Sequence, residues 1–171
     1  HTVFLAQLVD DGRLKPEAIA ALSEKTVTYH DPCYLSRHND IMDEPRRVLA
    51  ATGVNATEMP RCKRGTFCCG AGGSHMWMEE SRGDRINVVR TAEAAETGAD
   101  LIAVACPFCM QMFESAVGAV PEAEARGVQV FDLAELLDQS IAYSKPATNG
   151  GAPKAPEPAP AAAEPEPAES P

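Results

Sequence analysis

Five of the six cysteines in this chain stand in three short motifs that are far apart in the sequence. The motifs are the single Cys33, the adjacent pair Cys68–Cys69, and the segment Cys106-Pro107-Phe108-Cys109. Thiolates are strong ligands for soft metal ions, and ligands scattered in this way can meet only if the fold brings their loops together. The pattern therefore predicts a metal centre that is built by the tertiary structure.

Cysteine usage alone permits a disulfide framework, metal ligation or thiol redox chemistry. A disulfide framework is typical of short, loop-rich secreted chains, whereas this chain is long, helical and rich in alanine. A disulfide between the neighbours Cys68 and Cys69 would also strain the backbone. The motif from Cys106 to Cys109 fits a redox pair as well as half of a metal site, and the other three motif cysteines favour the metal site. Cys62 lies outside the pattern and is expected to be a small apolar residue or a spare thiol.

Charge and hydropathy argue against several functions. The formal net charge is −10 at pH 7 and the sequence shows no basic stripe, so no nucleic-acid partner is predicted. No apolar run is long enough to span a bilayer, and no secretory signal stands at the start. The chain begins at His1 instead of a methionine, and we expect it to be the C-terminal piece of a longer protein.

Strand and helix signals alternate along the chain. Strands are predicted at residues 27–30, 54–59, 101–105 and 128–131, and helices at 2–9, from Pro16 onward, at 44–52, 76–97 and 107–117, and from 133 onward. In the helix at 76–97, Ile86, Val89 and Ala92 are predicted to face the core, with the charged residues elsewhere. The alternation predicts an α/β domain with a Rossmann-like, mainly parallel sheet and helices on both of its faces.

The cysteine loops are predicted to meet at one edge of this sheet. Cys33 and Cys106 each follow a predicted strand, and loops after parallel strands converge at the carboxyl edge. We expect Cys68–Cys69 to join them if it also follows a strand. The glycine-rich segment at 70–73 would let backbone N–H groups turn toward sulfur. Cys106 and Cys109 lie at a predicted helix start, where free N–H groups also favour negative sulfur.

Several aromatic and histidine residues flank the cysteine motifs. His30, His38 and His75 are either hydrogen-bond partners of the metal centre or ordinary capping and solvated histidines. Met76 and Trp77 are predicted to pack in the core.

The chain is predicted to divide at about residue 145. Residues 1–145 form the domain, and residues 146–171 are rich in proline, alanine and glutamate. Such a segment buries too little apolar surface to offset the entropy of ordering, so a disordered tail is predicted.

The three cysteine motifs together resemble those of a known family. His-Asp-Pro-Cys at 30–33, Phe-Cys-Cys-Gly-Ala-Gly-Gly at 67–73 and Ala-Cys-Pro-Phe-Cys at 105–109 look like the cysteine-rich (CCG) domain. That domain occurs in the disulfide-reducing subunit of heterodisulfide reductase, in the iron–sulfur subunits of glycolate oxidase, in lactate-utilisation proteins and in actinobacterial iron–sulfur-binding reductases, which look most like this chain. The resemblance runs from about residue 1 to residue 141. Tyr34 stands where relatives often have histidine.

The resemblance implies a cofactor, a ligand set and a function. The cofactor would be a [4Fe–4S] cluster, of the non-cubane kind in some relatives, or zinc in others, and the ligands would be Cys33, Cys68, Cys69, Cys106 and Cys109. The chain would be an iron–sulfur electron-transfer domain of a larger oxidoreductase similar to heterodisulfide reductase. It would relay electrons to or from a quinone, a thiol or disulfide, or a flavin partner.

The resemblance also implies neighbours and a location. A ferredoxin-like segment and a second cysteine-rich domain would lie upstream in the parent chain, and a flavoprotein or a quinone-linked protein would be the redox partner. The domain would be cytoplasmic, held at the cytoplasmic face of the membrane through the parent protein or a partner.

Two alternative functions stay open at this point. In the first, four of the five thiolates form a structural zinc site without redox activity. The fifth cysteine slightly favours a cluster over zinc, because tetrahedral zinc binds only four thiolates. The other alternative is a thiol–disulfide oxidoreductase that uses Cys106 and Cys109.

Overall fold

Four short strands form a single parallel sheet, which confirms the predicted fold class. The computed structural model describes residues 1–16, 22, 24–80 and 82–141. The strands are β1 (Thr26–Tyr29), β2 (Asn55–Glu58), β3 (Leu101–Val104) and β4 (Gln129–Asp132). They lie in the order β2-β1-β3-β4, and all three neighbouring pairs are parallel. Each strand lies where the sequence predicts one, and β1 and β3 occupy the centre.

Helices cover both faces of the sheet, also as predicted. They are α1 (Thr2–Asp10), α2 (Cys33–Asn39), α3 (Asp43–Ala51), α4 (Ile86–Glu96), α5 (Pro107–Val117), α6 (Pro121–Arg126) and α7 (Leu133–Ser140). Two short 3₁₀ segments, Lys63–Gly65 and Gly72–Trp77, lie between β2 and α4. Helices α1, α3 and α7 contact one another on one face, and α4, α5 and α6 contact one another on the other.

Strand β3 divides the interior into two hydrophobic cores. Its four residues are buried, and successive side chains point to opposite faces of a strand. Ile102 and Val104 accordingly belong to the core under α4 and α5, whereas Leu101 and Ala103 belong to the core under α1, α3 and α7. This burial on both faces confirms the interpretation of residues 101–105 as a central strand.

Helix ends carry the local signals expected from the sequence. Pro107 occupies the first turn of α5, where its missing N–H is not needed. Asp132 and Glu135 form the predicted capping box at the start of α7. These two helices begin directly after β3 and β4, so the caps fix the points at which the chain leaves the sheet.

The helix predicted at residues 76–97 begins only at Ile86, and its predicted apolar face was wrong at Val89, whereas Ala92 packs against the core as predicted. Gly83, three residues before the helix, has a φ of +69°, and the N-cap residue Arg85 has an extended backbone. Val89 is 37% exposed, while Arg90 and Thr91 are buried. The helix packs against α5 and against polar groups behind the cysteine loops, so its buried face carries hydrogen-bonding side chains.

Some sequence predictions fall outside the described residues. The helix expected from Pro16 onward is one of them, apart from Leu22, which is helical and buried. The tail predicted at 146–171 and the boundary at 145 are others, and they stay predictions. Within the described part of the chain, no helix has the length and apolar character needed to cross a membrane.

Candidate metal centre

All five motif cysteines line one cavity at the carboxyl edge of the sheet. The cavity has a volume of about 620 Å³. Cys33 begins α2 shortly after β1, and Cys106 is the N-cap residue of α5 shortly after β3. Cys109 lies in the first turn of α5. The central parallel strands therefore deliver three of the five thiols to one place.

The pair Cys68–Cys69 reaches the cavity by a different route from the one expected. It does not directly follow a strand, because β2 ends at Glu58 and the 3₁₀ segment Lys63–Gly65 intervenes. Arg37 of α2 donates hydrogen bonds to the carbonyl oxygens of Arg64 and Thr66 and so holds this loop beside the sheet. The structure brings the five cysteines together, and their role as ligands stays a prediction.

Two of the sulfurs lie deep in the site. Cys69 and Cys109 are buried, with 6% and 3% of their surface exposed, whereas Cys33, Cys68 and Cys106 are partly exposed. The sulfur atoms of Cys69 and Cys109 and a ring nitrogen of buried His30 all lie within 4.8 Å of one another. The buried pair thus forms the floor of the cavity.

Backbone N–H groups point at three of the sulfurs, as the glycine-rich segment and the helix start predict. The N–H of Gly70 lies 3.2 Å from the sulfur of Cys68, and the N–H of Ala71 bonds to Cys69. The first turn of α5 supplies N–H donors from Phe108 and Cys109 to Cys106. Such donors stabilise negative charge on sulfur, because they need no counter-ion and are fixed by the fold.

The thiols of Cys68, Cys69, Cys106 and Cys109 divide into two kinds by their pKa values. Hydrogen bonds from Cys109 and Cys68 hold the pKa of Cys69 well below its usual value. The Cys109 thiol, whose single S–H is shared between Cys106 and Cys69, and the backbone N–H groups of Phe108 and Cys109 lower the pKa of Cys106 to about 6. The pKa values of Cys68 and Cys109 are raised, because each donates to a neighbouring sulfur and both are partly removed from water. Binding of a metal would release the retained protons.

Gly70 is required by the geometry of the loop. Its φ is +92°, a conformation that residues with a Cβ rarely adopt. A Cβ at this position would lie 3.1 Å from the Cβ of Ile86 and 3.3 Å from the backbone nitrogen of Asn87. The glycine therefore allows the Cys68–Cys69 loop to approach the start of α4.

Of the three histidines near the motifs, His30 alone meets the cysteines among the described residues. It is buried after β1, with a ring nitrogen within 4.8 Å of the sulfurs of Cys69 and Cys109. The ring of His38 lies against Tyr34, with centroids 5.8 Å apart. His75 pairs with Glu80 at 3.1 Å. His30 thus lies beside two of the candidate ligands, and its role there stays a prediction, whereas the other two histidines pair with other residues.

Three aromatic side chains surround the opening of the cavity. Trp77 is 76% exposed, so the prediction that it packs in the core was wrong, whereas Met76 packs against the core as predicted. Tyr34 and Phe108 are also exposed and line the same cavity. Trp77 is the last residue of a 3₁₀ segment that contains two left-handed residues, Gly73 and Ser74.

Sequence reasoning missed Arg90, which is fully buried behind the site. The guanidinium Nε donates to Nδ1 of His30 at 3.2 Å, and Nη1 lies 2.8 Å from a carboxylate oxygen of Glu93. A pair of opposite charges three residues apart usually lies on a solvated helix face. The one available signal was the small residues that surround Glu93 after Arg90, namely Thr91, Ala92, Ala94 and Ala95, which allow close packing of this part of the helix.

The donor set fits a thiolate-bound metal centre. Five thiol sulfurs line the cavity, and its described lining includes no carboxylate. Soft sulfur ligands without carboxylates select zinc, copper(I) or iron–sulfur clusters over magnesium or calcium. Cys62 contacts none of this set and interacts with Glu58, in agreement with its exclusion from the motif.

A parallel α/β sheet with a thiol-lined cavity at its carboxyl edge defines this chain as a cysteine-rich α/β domain. The chain belongs to the CCG cysteine-rich domain family, whose sequence model matches residues 27–114. The resemblance carried by the three motifs is thereby confirmed. No solved structure gave a significant match.

Several curated relatives are similar over most of this chain. The "Probable iron-sulfur-binding oxidoreductase FadF" of Bacillus subtilis is 44% identical over 142 residues, which cover 82% of this chain and 19% of the relative. The "EtfAB:quinone oxidoreductase" of Syntrophomonas wolfei is 40% identical over 80% of this chain and 20% of its own length. A component of the dihydromethanophenazine:CoB–CoM heterodisulfide reductase of Methanosarcina barkeri is 35% identical over 84% of this chain and 34% of its own length. The chain spans about a fifth of the length of the first two relatives.

Proposed function

We propose that this chain is the iron–sulfur electron-transfer domain of a larger oxidoreductase. The observation that carries the proposal is the single cavity lined by five thiols, three of which receive backbone N–H donors. The names of the relatives support it, since they describe an iron–sulfur-binding oxidoreductase, a quinone oxidoreductase and a heterodisulfide reductase. A bound iron–sulfur cluster takes up and releases electrons one at a time.

The proposed ligands are Cys33, Cys68, Cys69, Cys106 and Cys109. Five thiolates in one place repel one another, and the backbone donors beside them offset part of that repulsion. The burial of Cys69 and Cys109 keeps water from the floor of the site, which sets the polarity around a bound group. We propose a [4Fe–4S] cluster of the non-cubane kind, because a cubane or a tetrahedral zinc would need only four of the five sulfurs.

The proposed electron partners are a flavoprotein, a quinone-linked protein, or a thiol or disulfide substrate. Support comes from relatives whose names mention a quinone and a heterodisulfide. Another relative is called a probable membrane-anchored ferredoxin, which supports a place at a membrane; the cytoplasmic face is our proposal. Because the relatives are several times longer than this chain, we propose that a ferredoxin-like segment and a second cysteine-rich domain precede it in the parent protein.

A redox titration of cysteine variants tests this function. The chain is purified and reconstituted with iron and sulfide without oxygen, and the reduced and oxidised forms are followed by EPR. We expect Cys33→Ser to lose or alter the signal, because Cys33 lines the cavity with the other four sulfurs. Cys62→Ser, the matched control outside the cavity, should leave the signal unchanged.

The same experiment separates the proposal from its two alternatives. A thiol–disulfide enzyme built on Cys106 and Cys109 would keep its dithiol titration in Cys33→Ser and would show no EPR signal. A structural zinc domain would bind zinc stoichiometrically and show no redox change at all. Either result would contradict the proposed function.

A further inference from the structure

A fully buried arginine lies directly behind the candidate metal centre. None of the surface of Arg90 is exposed, and its guanidinium has three neighbours. Nε donates to Nδ1 of His30 at 3.2 Å, Nη2 lies 3.4 Å from the hydroxyl of Thr66, and Nη1 lies 2.8 Å from Glu93. Burying a cation carries a large desolvation penalty unless specific partners compensate it. We therefore expect Arg90 to have a role other than packing in the core.

The contact with Arg90 decides which nitrogen of His30 carries the proton. A guanidinium nitrogen can only donate, so Nδ1 of His30 must accept and must be unprotonated. The proton of a neutral imidazole then resides on Nε2. A ring nitrogen of His30 lies within 4.8 Å of the sulfur of Cys69, and because Nδ1 accepts from Arg90, Nε2 is the nitrogen left to donate to that sulfur. The ring is thereby fixed between a donor on one side and an acceptor on the other.

We infer that Arg90 is a positioning residue that holds His30 as an Nε2–H donor to the sulfur of Cys69. This inference rests on the proposed function, because it gives the donated hydrogen bond a purpose at a bound cluster. A hydrogen bond to a ligand sulfur stabilises the more negative, reduced form of a cluster and raises its reduction potential. The contact with Phe113, whose ring centroid lies 5.0 Å from that of His30 with the planes inclined at 67°, keeps the imidazole from tilting away.

The variant Arg90→Lys tests the inference with little change in charge. In lysine a methylene group occupies the place of Nε, so the donor to His30 is lost while the ammonium group still reaches toward Glu93. Arg61→Lys is the matched control, because Arg61 binds the same carboxylate of Glu93 at 2.8 Å and contacts that carboxylate instead of His30. Both variants make the same chemical change on the same ion-pair network.

The first measurement is the protonation of the His30 ring nitrogens in the whole chain labelled with ¹⁵N-histidine. Two-bond ¹H–¹⁵N correlation spectra distinguish a protonated nitrogen from a bare one, and His30→Gln identifies the His30 signals among the four histidines. We expect a bare Nδ1 and a protonated Nε2 in the wild type and in Arg61→Lys. In Arg90→Lys the two shifts should move toward each other, because the proton is no longer confined to Nε2. Identical His30 signals in wild type and Arg90→Lys would overturn the inference.

The second measurement is the reduction potential of the iron-loaded chain, with pulsed EPR of the histidine nitrogen coupling. We expect a lower potential and a weaker ¹⁵N coupling in Arg90→Lys than in Arg61→Lys. Equal potentials and couplings in the two variants would overturn the inference while leaving the proposed function intact. A wild-type chain that takes up no iron would instead overturn the proposed function. It would also remove the role proposed for the hydrogen bond from His30 at a bound cluster. The nitrogen spectra would still decide which nitrogen of His30 is protonated.

Discussion

Arg46 holds the buried carboxylate of Asp31 through two parallel contacts, from Nη1 to Oδ1 at 2.8 Å and from Nη2 to Oδ2 at 2.9 Å. The same carboxylate accepts a hydrogen bond from the backbone N–H of Lys63 at 2.6 Å. Asp31 precedes Cys33 by two residues, and Lys63 lies in the loop that leads to Cys68. One carboxylate therefore joins the loops that carry two of the three cysteine motifs.

We expect Asp31→Asn to destabilise the fold and to weaken iron retention. The neutral amide leaves Arg46 without its buried counter-charge, and breaking such a pair costs about 3 kcal/mol in the free energy of unfolding. The measurement is urea denaturation of the metal-free chain together with the iron content after reconstitution.

Glu58→Gln is the control for this change. Glu58 binds the same arginine, but about half of its side chain is exposed. A contact of that kind contributes less than about 1 kcal/mol. Equal losses of unfolding free energy in Asp31→Asn and Glu58→Gln would show that the buried pair of Asp31 and Arg46 is worth no more than the exposed contact with Glu58.

Gly70→Ala should disturb the Cys68–Cys69 loop. Alanine would have to adopt the φ of +92° or push against Ile86 and the backbone of α4. Strain of this kind costs roughly 1–3 kcal/mol, and the loop can relieve it only by moving the two cysteines. We expect lower iron occupancy per chain by metal analysis. Gly72→Ala, which meets no atom within 4 Å, should retain full occupancy.

Stability should depend on pH through Glu93. Burial works to raise the pKa of this carboxyl group, but hydrogen bonds from Arg61 and Arg90 outweigh it, and the pKa lies below the usual value. The ionised form is thus favoured by folding. Its contribution is complete above the pKa of an unfolded glutamate, about 4.3, and disappears as the pH falls through the lower folded value.

Glu93→Gln should therefore be less stable than the wild type at pH 7, by roughly 3–5 kcal/mol because Arg90 is left without a counter-charge. We expect this difference in the free energy of unfolding to shrink below about pH 4. Urea denaturation at several pH values measures it. Glu96→Gln, an exposed change on the same helix, should show no such pH dependence. A pH-independent difference for Glu93→Gln would contradict the assigned ion pairs.

Fluorescence of Trp77 should report occupancy of the cavity. Trp77 is the only tryptophan of the chain and lines the cavity. Because iron–sulfur clusters absorb where tryptophan emits, loading should quench the emission and removal of iron by a chelator should restore it. Cys62→Ser should be quenched like the wild type, and Cys69→Ser should not. Unchanged emission on loading of the wild type would place the metal away from this cavity.

The strands and the cysteine positions were predictable because their signals are local. The apolar run at residues 101–105 is long enough for a buried strand, and Pro107 marks the helix start beside Cys106. The capping pair Asp132 and Glu135 likewise acts between neighbours in the sequence. Given a parallel sheet, loops that follow its strands meet at one edge, so the meeting of Cys33 and Cys106 follows from topology.

The features that the sequence did not predict include the burial of Arg90 and the start of α4. Arg90 is buried because His30, Thr66 and Glu93 compensate its charge, and only Glu93 is near in sequence. Helix α4 starts at Ile86, after Gly83 with a φ of +69° and the extended N-cap residue Arg85. The helical periodicity used to predict residues 76–97 does not mark that point.

The most direct test of the iron–sulfur assignment is the iron and acid-labile sulfide content of the anaerobically purified chain, with EPR spectra of its oxidised and reduced forms. We predict iron and sulfide in equal amounts, near four of each per chain for a [4Fe–4S] cluster, and a signal that changes with oxidation state. Stoichiometric zinc without sulfide and without a signal would contradict the account, and the five thiols would then form a structural site.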